Sequence, residues 1–342
     1  MTESTMALLW YFVVGISVVA YVALDGFDLG VGILNFFTKE DRERRIFLNA
    51  IGPVWDGNEV WLVIVGGALF AGFPDVYSTL FSGFYNLCML LLAALIFRAV
   101  SIEFRSKRES HRWRRTWDAL FSAASLVIAF ALGLVFGNLI EGLPLDNEKN
   151  LIVSSAFFFK PFSILIGLFT VSLMTLHGSL FLSMKTEGAL HTKLRRWTKY
   201  CVAVFVGLYL LTTVVAWKQS PHMIEKFKET PLLFIIPALA FLSALHIYRC
   251  FKKGWDGWAF LSSCFTIFLL FCVFGIGTFP YLVRSSVYPE FNSLTFYNAA
   301  SSELTLTALL IIVAIGVPLV LAYGFFVYRI FKGKVRLEKS SY

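Results

Sequence analysis

Nine long apolar stretches constrain this chain more than any motif in it. They cover residues 7–37, 51–73, 76–100, 117–139, 157–184, 199–217, 231–250, 258–280 and 304–331. One bilayer crossing takes about 20 apolar residues, so each stretch is long enough for a span. In hydrocarbon every backbone polar group must be bonded within its own segment, which leaves helices or a closed barrel. Barrel strands alternate polar with apolar residues. These runs are apolar all round, so the expected fold is an all-α polytopic membrane protein of about nine transmembrane helices. With 58% hydrophobic and only 15% charged residues, a disordered chain, a coiled coil and an ordinary soluble enzyme are excluded.

The charged residues are few but unevenly placed. Lys and Arg outnumber Asp and Glu by 30 to 22, a net charge of +8. In a soluble protein such an excess suggests nucleic acid; in a polytopic one it reads as topology, because cytoplasmic loops collect Lys and Arg. The joints after spans one, three, five and seven hold four, seven, five and three basic residues, and the C-terminal tail to Lys339 holds five. The set includes Arg44 and Arg45, Arg98 and Arg105, Lys193 and Arg195, and Lys252 and Lys253. That places 24 of 30 on one side, against Lys149, Lys160, Lys218, Lys226, Lys228 and Arg284 on the other. The expectation is an N-terminus outside and a C-terminus in the cytoplasm, with no nucleic-acid partner. The first stretch lacks a basic n-region and a small-residue cleavage site, so it reads as a retained span.

A weak internal repeat accompanies this alternation. Spans three and seven end in Ala94–Arg98 and Leu245–Arg249, and spans four and eight open with Trp117-Asp118 and Trp255-Asp256. The pattern suggests two parallel four-helix bundles, 1–140 and 141–280, followed by a peripheral ninth helix and basic tail in 281–342. Chance likeness between apolar helices competes with this reading.

Ionisable groups within spans are costly and are functional candidates by default. Asp25 and Asp28 lie three apart in a glycine-rich run, on one helix face. Asp56 and Glu59 repeat that spacing beside Pro53 and Gly57, residues suited to an irregular helix start. By the charge count all four fall in the cytoplasmic half, with Arg98, Glu103 and Asp118. Caps and Arg–carboxylate pairs at helix ends would explain them; so would a proton or cation entrance, favoured for Asp25 and Asp56. Two close carboxylates at low dielectric do not readily both ionise, which suits a relay. His177 and His246 are the histidines well inside spans. Axial haem ligation is conceivable for them, and hydrogen-bonded packing is the commoner role. The five cysteines show no CxxC or CxxCH spacing and read as small packing residues. No phosphate loop, HExxH motif, dinucleotide fingerprint or nucleophile elbow occurs, so no catalytic centre is expected in this chain.

Asp25-Gly26-Phe27-Asp28-Leu29-Gly30-Val31-Gly32 and Gly52-Pro53-Val54-Trp55-Asp56-Gly57-Asn58-Glu59-Val60-Trp61 resemble the signatures of subunit II of the cytochrome bd quinol oxidases. Gly66–Ala71, Phe81–Tyr85, Tyr297–Ser302 and Tyr328–Lys334 agree. The chain is short around Gln219–Glu229, where some members carry a longer external loop. The resemblance implies a heterodimer with a homologous haem-bearing subunit I, joined in some members by small single-helix subunits, in a bacterial inner membrane. It implies quinol oxidation at the outer face, O₂ reduction to water, and two b-type haems and one haem d held by the partner. Water formation then draws protons from the cytoplasm, along a route that subunit II helps line. Asp25 and Asp56 match its candidate aspartates. Asp28 and Asp118 also match, with a bound cation or a polar anchor as the alternative role there; Asp28 and Glu59 join Asp25 and Asp56 as proton-path candidates, and Asp118, Arg98, Glu103 and Trp55 are structural or cation-site candidates. Glu59 occupies a position where relatives can carry an amide.

Two other classes fit the residues alone. An ion-coupled secondary transporter would share the repeats, glycines and intramembrane acids, but would hold its acids near mid-membrane. A purely structural subunit would use the aspartates for packing.

Overall fold

The computed structural model describes residues 3–152 and 155–337; Lys339 of the basic tail lies outside them. The apolar runs wind into helices α1 (Glu3–Asn35), α2 (Asp41–Ile51), α3 (Trp55–Gly72), α4 (Pro74–Gly83), α5 (Tyr85–Phe104), α6 (His111–Glu141) and α7 (Pro161–Lys185). There follow α8 (Gly188–Gln219), α9 (His222–Glu229), α10 (Ile235–Lys252), α11 (Asp256–Thr278), strand β1 (Tyr281–Val283), α12 (Pro289–Asn292), strand β2 (Leu294–Thr295) and α13 (Glu303–Ile330). Among the described residues, eight helices are long and apolar enough to cross a membrane. The pair α2 and α3, bent by 54° at a short break, makes a ninth span if counted as one. The chain is therefore an all-α polytopic membrane protein.

Two of the nine stretches differ from the sequence reading. The second does begin at a break, as Pro53 suggests, but it is preceded by a complete helix, α2, with its charges in the first five residues and Phe47, Leu48, Ala50 and Ile51 buried in the rest. The break falls at Gly52-Pro53, ahead of α3, because Pro53 has no N–H to continue the α2 ladder. Gly57 lies inside α3. The third stretch divides at Phe84 into α4 and α5, and α5 continues to Phe104. Arg98, assigned by sequence to a cytoplasmic joint, is thus an interior residue of α5 with no exposed surface. It is not a loop charge: burial is offset by an acid on the neighbouring helix, described below.

α1 is the central element. It packs on α3, α6 and α7 and touches α11 and α13. Lipid tails are as apolar as Leu, so helices in a membrane associate through close packing and polar contacts more than through apolar burial. At the α1–α7 crossing the backbones meet: a Cβ added to Gly30 would lie 1.9 Å from the Met174 carbonyl oxygen, and one on Gly178 would lie 2.5 Å from the Gly30 carbonyl carbon. α7 also packs on α6 and α8, and α10 on α11. α13 leans on α1 and α3, and Leu306 is its buried residue.

The end of α6 distant from its basic N-terminal turns is closed by loops. β1 and β2 pair antiparallel, with Tyr281 opposite Thr295, and Leu143 and Leu145 bridge to Ser285 and Leu151. Leu143, Leu145, Phe158, Val283, Leu294 and Phe296 share one apolar cluster there. The short helix α9 is tied to α6 by His222, whose Nε2 lies 2.8 Å from the Ile140 carbonyl oxygen. Burial and the Arg284 charge push this imidazole down from its usual pKa, against the opposing pull of that carbonyl.

Candidate functional site

The C-terminal half of α1 sets the site. Asp25 and Asp28 stand three residues apart and are both fully buried. Small residues around them let neighbouring helices come close, so the acids meet side chains instead of lipid. From α5, Arg98 reaches across with its two-pronged guanidinium. Its Nη1 donates to Asp25 Oδ2 at 2.7 Å and its Nη2 donates to Asp25 Oδ1. A planar guanidinium on a carboxylate is the bidentate arrangement that best offsets desolvation. Glu59 of α3 approaches the same guanidinium, with Oε2 3.9 Å from Nη1, and keeps 22% of its side-chain surface exposed.

Asp28 has a different environment. Asn58 of α3 donates from Nδ2 to Asp28 Oδ2 at 2.7 Å. The Tyr328 hydroxyl of α13 donates to Asn58 Oδ1 at 2.9 Å. Asp28 Oδ1 is buried and accepts no hydrogen bond, and among the described residues no cation lies within 4 Å of this carboxyl. Two acids on one helix face therefore have opposite surroundings: Asp25 is ion-paired, and Asp28 is hydrogen-bonded on one oxygen only.

A second cluster sits one step towards the basic end. Asp118 of α6 accepts from Arg105 Nε at 2.6 Å and from Arg44 Nη1 of α2 at 2.9 Å. Arg105 also donates to Asp41 at 2.7 Å, and Arg44 donates to the Thr38 carbonyl at 3.0 Å. Asn35, at the end of α1, donates to Ser122 Oγ at 3.1 Å. These contacts clasp α1, α2, α5 and α6 together at one end.

The sequence candidates distribute as follows. Asp25, Asp28, Glu59 and Arg98 meet in the first cluster, and Asp118 anchors the second. Asp56 is exposed on α3, outside the buried cluster. Trp55 is buried, in an apolar cluster with Phe27, Val31 and Ile51. Glu103 is exposed on α5. Sequence reasoning assigned no role to Asn58, Tyr328, Arg44, Arg105 or Asp41. Asn58 was findable, since a lone amide in an apolar run obeys the same logic as a lone acid. Tyr328 was not, because a tyrosine near a helix end resembles an ordinary interfacial anchor.

His177 is packed, not poised. His177 has both ring nitrogens engaged, Nδ1 at 2.6 Å from Ser263 Oγ and Nε2 at 2.9 Å from the Ala23 carbonyl oxygen, and its ring stacks on Phe260. His246 is exposed on α10, with Nδ1 2.8 Å from Ser262 Oγ. Among the described residues, no group of three or more His, Cys, Asp or Glu side chains is set to hold a metal ion. A cavity of about 390 Å³ between α6, α7, α8, α9, α10 and α11 is walled by apolar and aromatic side chains such as Phe162, Phe169 and Phe271 and has no charged residue.

Comparison with known proteins agrees along the whole chain. The family model described as cytochrome bd terminal oxidase subunit II matches residues 6–331. Cytochrome bd-I ubiquinol oxidase subunit 2 of Escherichia coli (strain K12) is 34% identical over 366 residues, covering 97% of this chain and 96% of that relative. Cytochrome bd ubiquinol oxidase subunit 2 of Bacillus subtilis (strain 168) is 32% identical over 329 residues, covering 96% of each. A chain of the solved bd oxidase from Geobacillus thermodenitrificans shares the fold, with a TM-score of 0.80 at 19% identity over 96% of this chain and 98% of that one. A family model that spans nearly every described helix, with relatives above 30% identity from end to end, establishes that the chain belongs to the cytochrome bd terminal oxidase subunit II family.

Proposed function

We propose that this chain is the haem-free half of a quinol:O₂ oxidoreductase and that its own chemistry is proton delivery. It pairs with a haem-bearing subunit I in a bacterial cytoplasmic membrane, N-terminus outside and C-terminus in the cytoplasm; small single-helix subunits can join the pair. Its relatives in E. coli and B. subtilis are named as ubiquinol oxidase subunits, and quinol is the reductant by that likeness. Two b haems and one haem d, held by the partner, supply the electron transfer and O₂ chemistry. His177 does not fit an axial ligand, since both of its ring nitrogens are engaged within this chain.

The residues of this chain take protons from the cytoplasmic side. Asp56 is exposed at the start of α3, and Glu59, one helical turn on, is half-buried against Arg98. Arg98 binds both oxygens of Asp25 and holds it in place, so the pair supplies a fixed local field. Asp28 is the group able to accept and release a proton. The observation that carries this reading is the contrast between the two acids. A structural carboxylate at this depth has its oxygens satisfied or paired, whereas Asp28 keeps one buried oxygen without any partner.

The test begins with co-purification of the native complex and its optical spectrum. A second large subunit with haem d absorption is expected; a haem-free chain that moves a solute in liposomes would favour a transporter. In the same complex Asp56→Asn should slow quinol-driven O₂ consumption at least tenfold with the haem spectrum intact, by losing a proton-transfer group. Unchanged turnover would remove Asp56 from the route.

A further inference from the structure

The last helix appears in none of the roles above, yet it contributes one polar group to the buried cluster. α13 is exposed along nearly its whole length. A tyrosine three residues from the end of such a helix would ordinarily turn its hydroxyl to the membrane–water interface. Tyr328 instead turns inward and donates to Asn58 Oδ1 at 2.9 Å. We propose that Tyr328 is a positioning residue which, through Asn58, assigns the exchangeable proton of Asp28 to Oδ1.

The argument follows from donor and acceptor inventories. An amide has one acceptor end and one donor end. A hydroxyl donating to Asn58 Oδ1 leaves Nδ2 as the end that faces Asp28. Nδ2 donates to Asp28 Oδ2 at 2.7 Å, so Oδ2 acts as an acceptor and cannot carry a proton along that line. Oδ1, buried and with no hydrogen bond, is the one oxygen left to be protonated. Were the amide turned by 180°, its oxygen would face Oδ2, which would then have to carry the proton as donor to the amide. Two orientations of one amide thus correspond to two positions of one proton, and the Tyr328 hydroxyl, which would have to turn and accept from Nδ2 in the other arrangement, holds the first by donating to Oδ1. Asp25 is not open to the same control, because Arg98 binds both of its oxygens.

This inference rests on Asp28 as a proton carrier, and infrared difference spectroscopy separates the two claims. In the whole oxidase, redox-induced spectra should contain a protonated-carboxyl C=O band that Asp28→Asn removes. Tyr328→Phe should shift or split that band, because the amide is no longer held, and should lower O₂ turnover by about 10- to 100-fold, the cost of mis-set transfer geometry. A merely structural tyrosine would change yield or melting and leave the band in place. If Y328F fails to assemble, Asn58→Leu breaks the same link from the other side and should move the band likewise. An Asp28 band unmoved in these variants overturns the positioning role, whatever the turnover. Absence of any band sensitive to Asp28→Asn overturns it too, since no proton would then be there to assign. A shifted band with unchanged turnover in Asp28→Asn would uphold the positioning and refute the delivery reading alone.

Discussion

Replacing Arg98 by methionine should leave Asp25 as an uncompensated carboxylate closed to lipid and water alike. Both partners have no exposed surface, and the guanidinium binds both carboxylate oxygens. Glu59, 3.9 Å from the same guanidinium, is itself an acid and cannot replace the lost cation. Removing one partner of a buried pair costs about 3–5 kcal/mol, mostly because the other charge is left unpaired. The double variant R98M/D25L removes both charges and should return to within about 1–2 kcal/mol of the native chain, since apolar replacement of a whole buried pair is often nearly neutral. With about 3–5 kcal/mol for either single variant and about 1–2 for the double, the cycle predicts a coupling energy of about 4–9 kcal/mol. Arg98→Lys keeps the charge but loses the fork, and should fall between the two. Denaturant unfolding of the purified complex reads these differences. A single variant within about 0.5 kcal/mol of wild type, or a double variant as unstable as the sum of the singles, would refute the ion pair as described. The same cost makes Asp25→Asn an assembly variant first, so loss of haem along with activity is expected there.

Further variants probe the frame around the cluster. Gly30→Val places side-chain carbon where the Met174 carbonyl stands, and should abolish assembly, whereas Gly66→Ala meets nothing within 4 Å and should be silent in expression and spectrum. Asp118→Ala opens the clasp between α2 and α6; hydrogen exchange over residues 41–51 should rise, by up to the ~1.5–3 kcal/mol typical of each charged hydrogen bond lost. His222 has a lowered pKa in the fold, so its neutral form is favoured. Its contribution is full above the unfolded value near 6.5 and declines as pH falls through the folded value. Thermal unfolding from pH 8 to pH 5 should lose part of its slope in His222→Gln; an unchanged slope would count against the α9–α6 tie.

Much of this molecule is legible in its sequence because bilayer spans have few solutions. The all-helical class and the number of spans follow from apolar run length. What was not legible depends on contacts between distant segments. Arg98 ends an apolar run next to a basic loop, and only the position of Asp25 opposite it on α1 makes it an interior residue. α2 reads as a charged joint because its buried face has just four residues. The different roles of Asp25 and Asp28 cannot come from their shared motif. They arise from Arg98 on α5 and Asn58 on α3, with Tyr328 contributed from 300 positions downstream of Asp28.

Asp28 carries the central claim. If Asp28 is the proposed proton carrier, Asp28→Asn should keep the side chain's size and its place beside Asn58 while removing the exchangeable proton. Quinol-driven O₂ consumption by the purified complex, with haem content fixed by its optical spectrum, measures this directly. The account predicts a fall of about 100-fold at full haem occupancy, the loss of one proton-transfer group. Turnover within twofold of the native complex would contradict it.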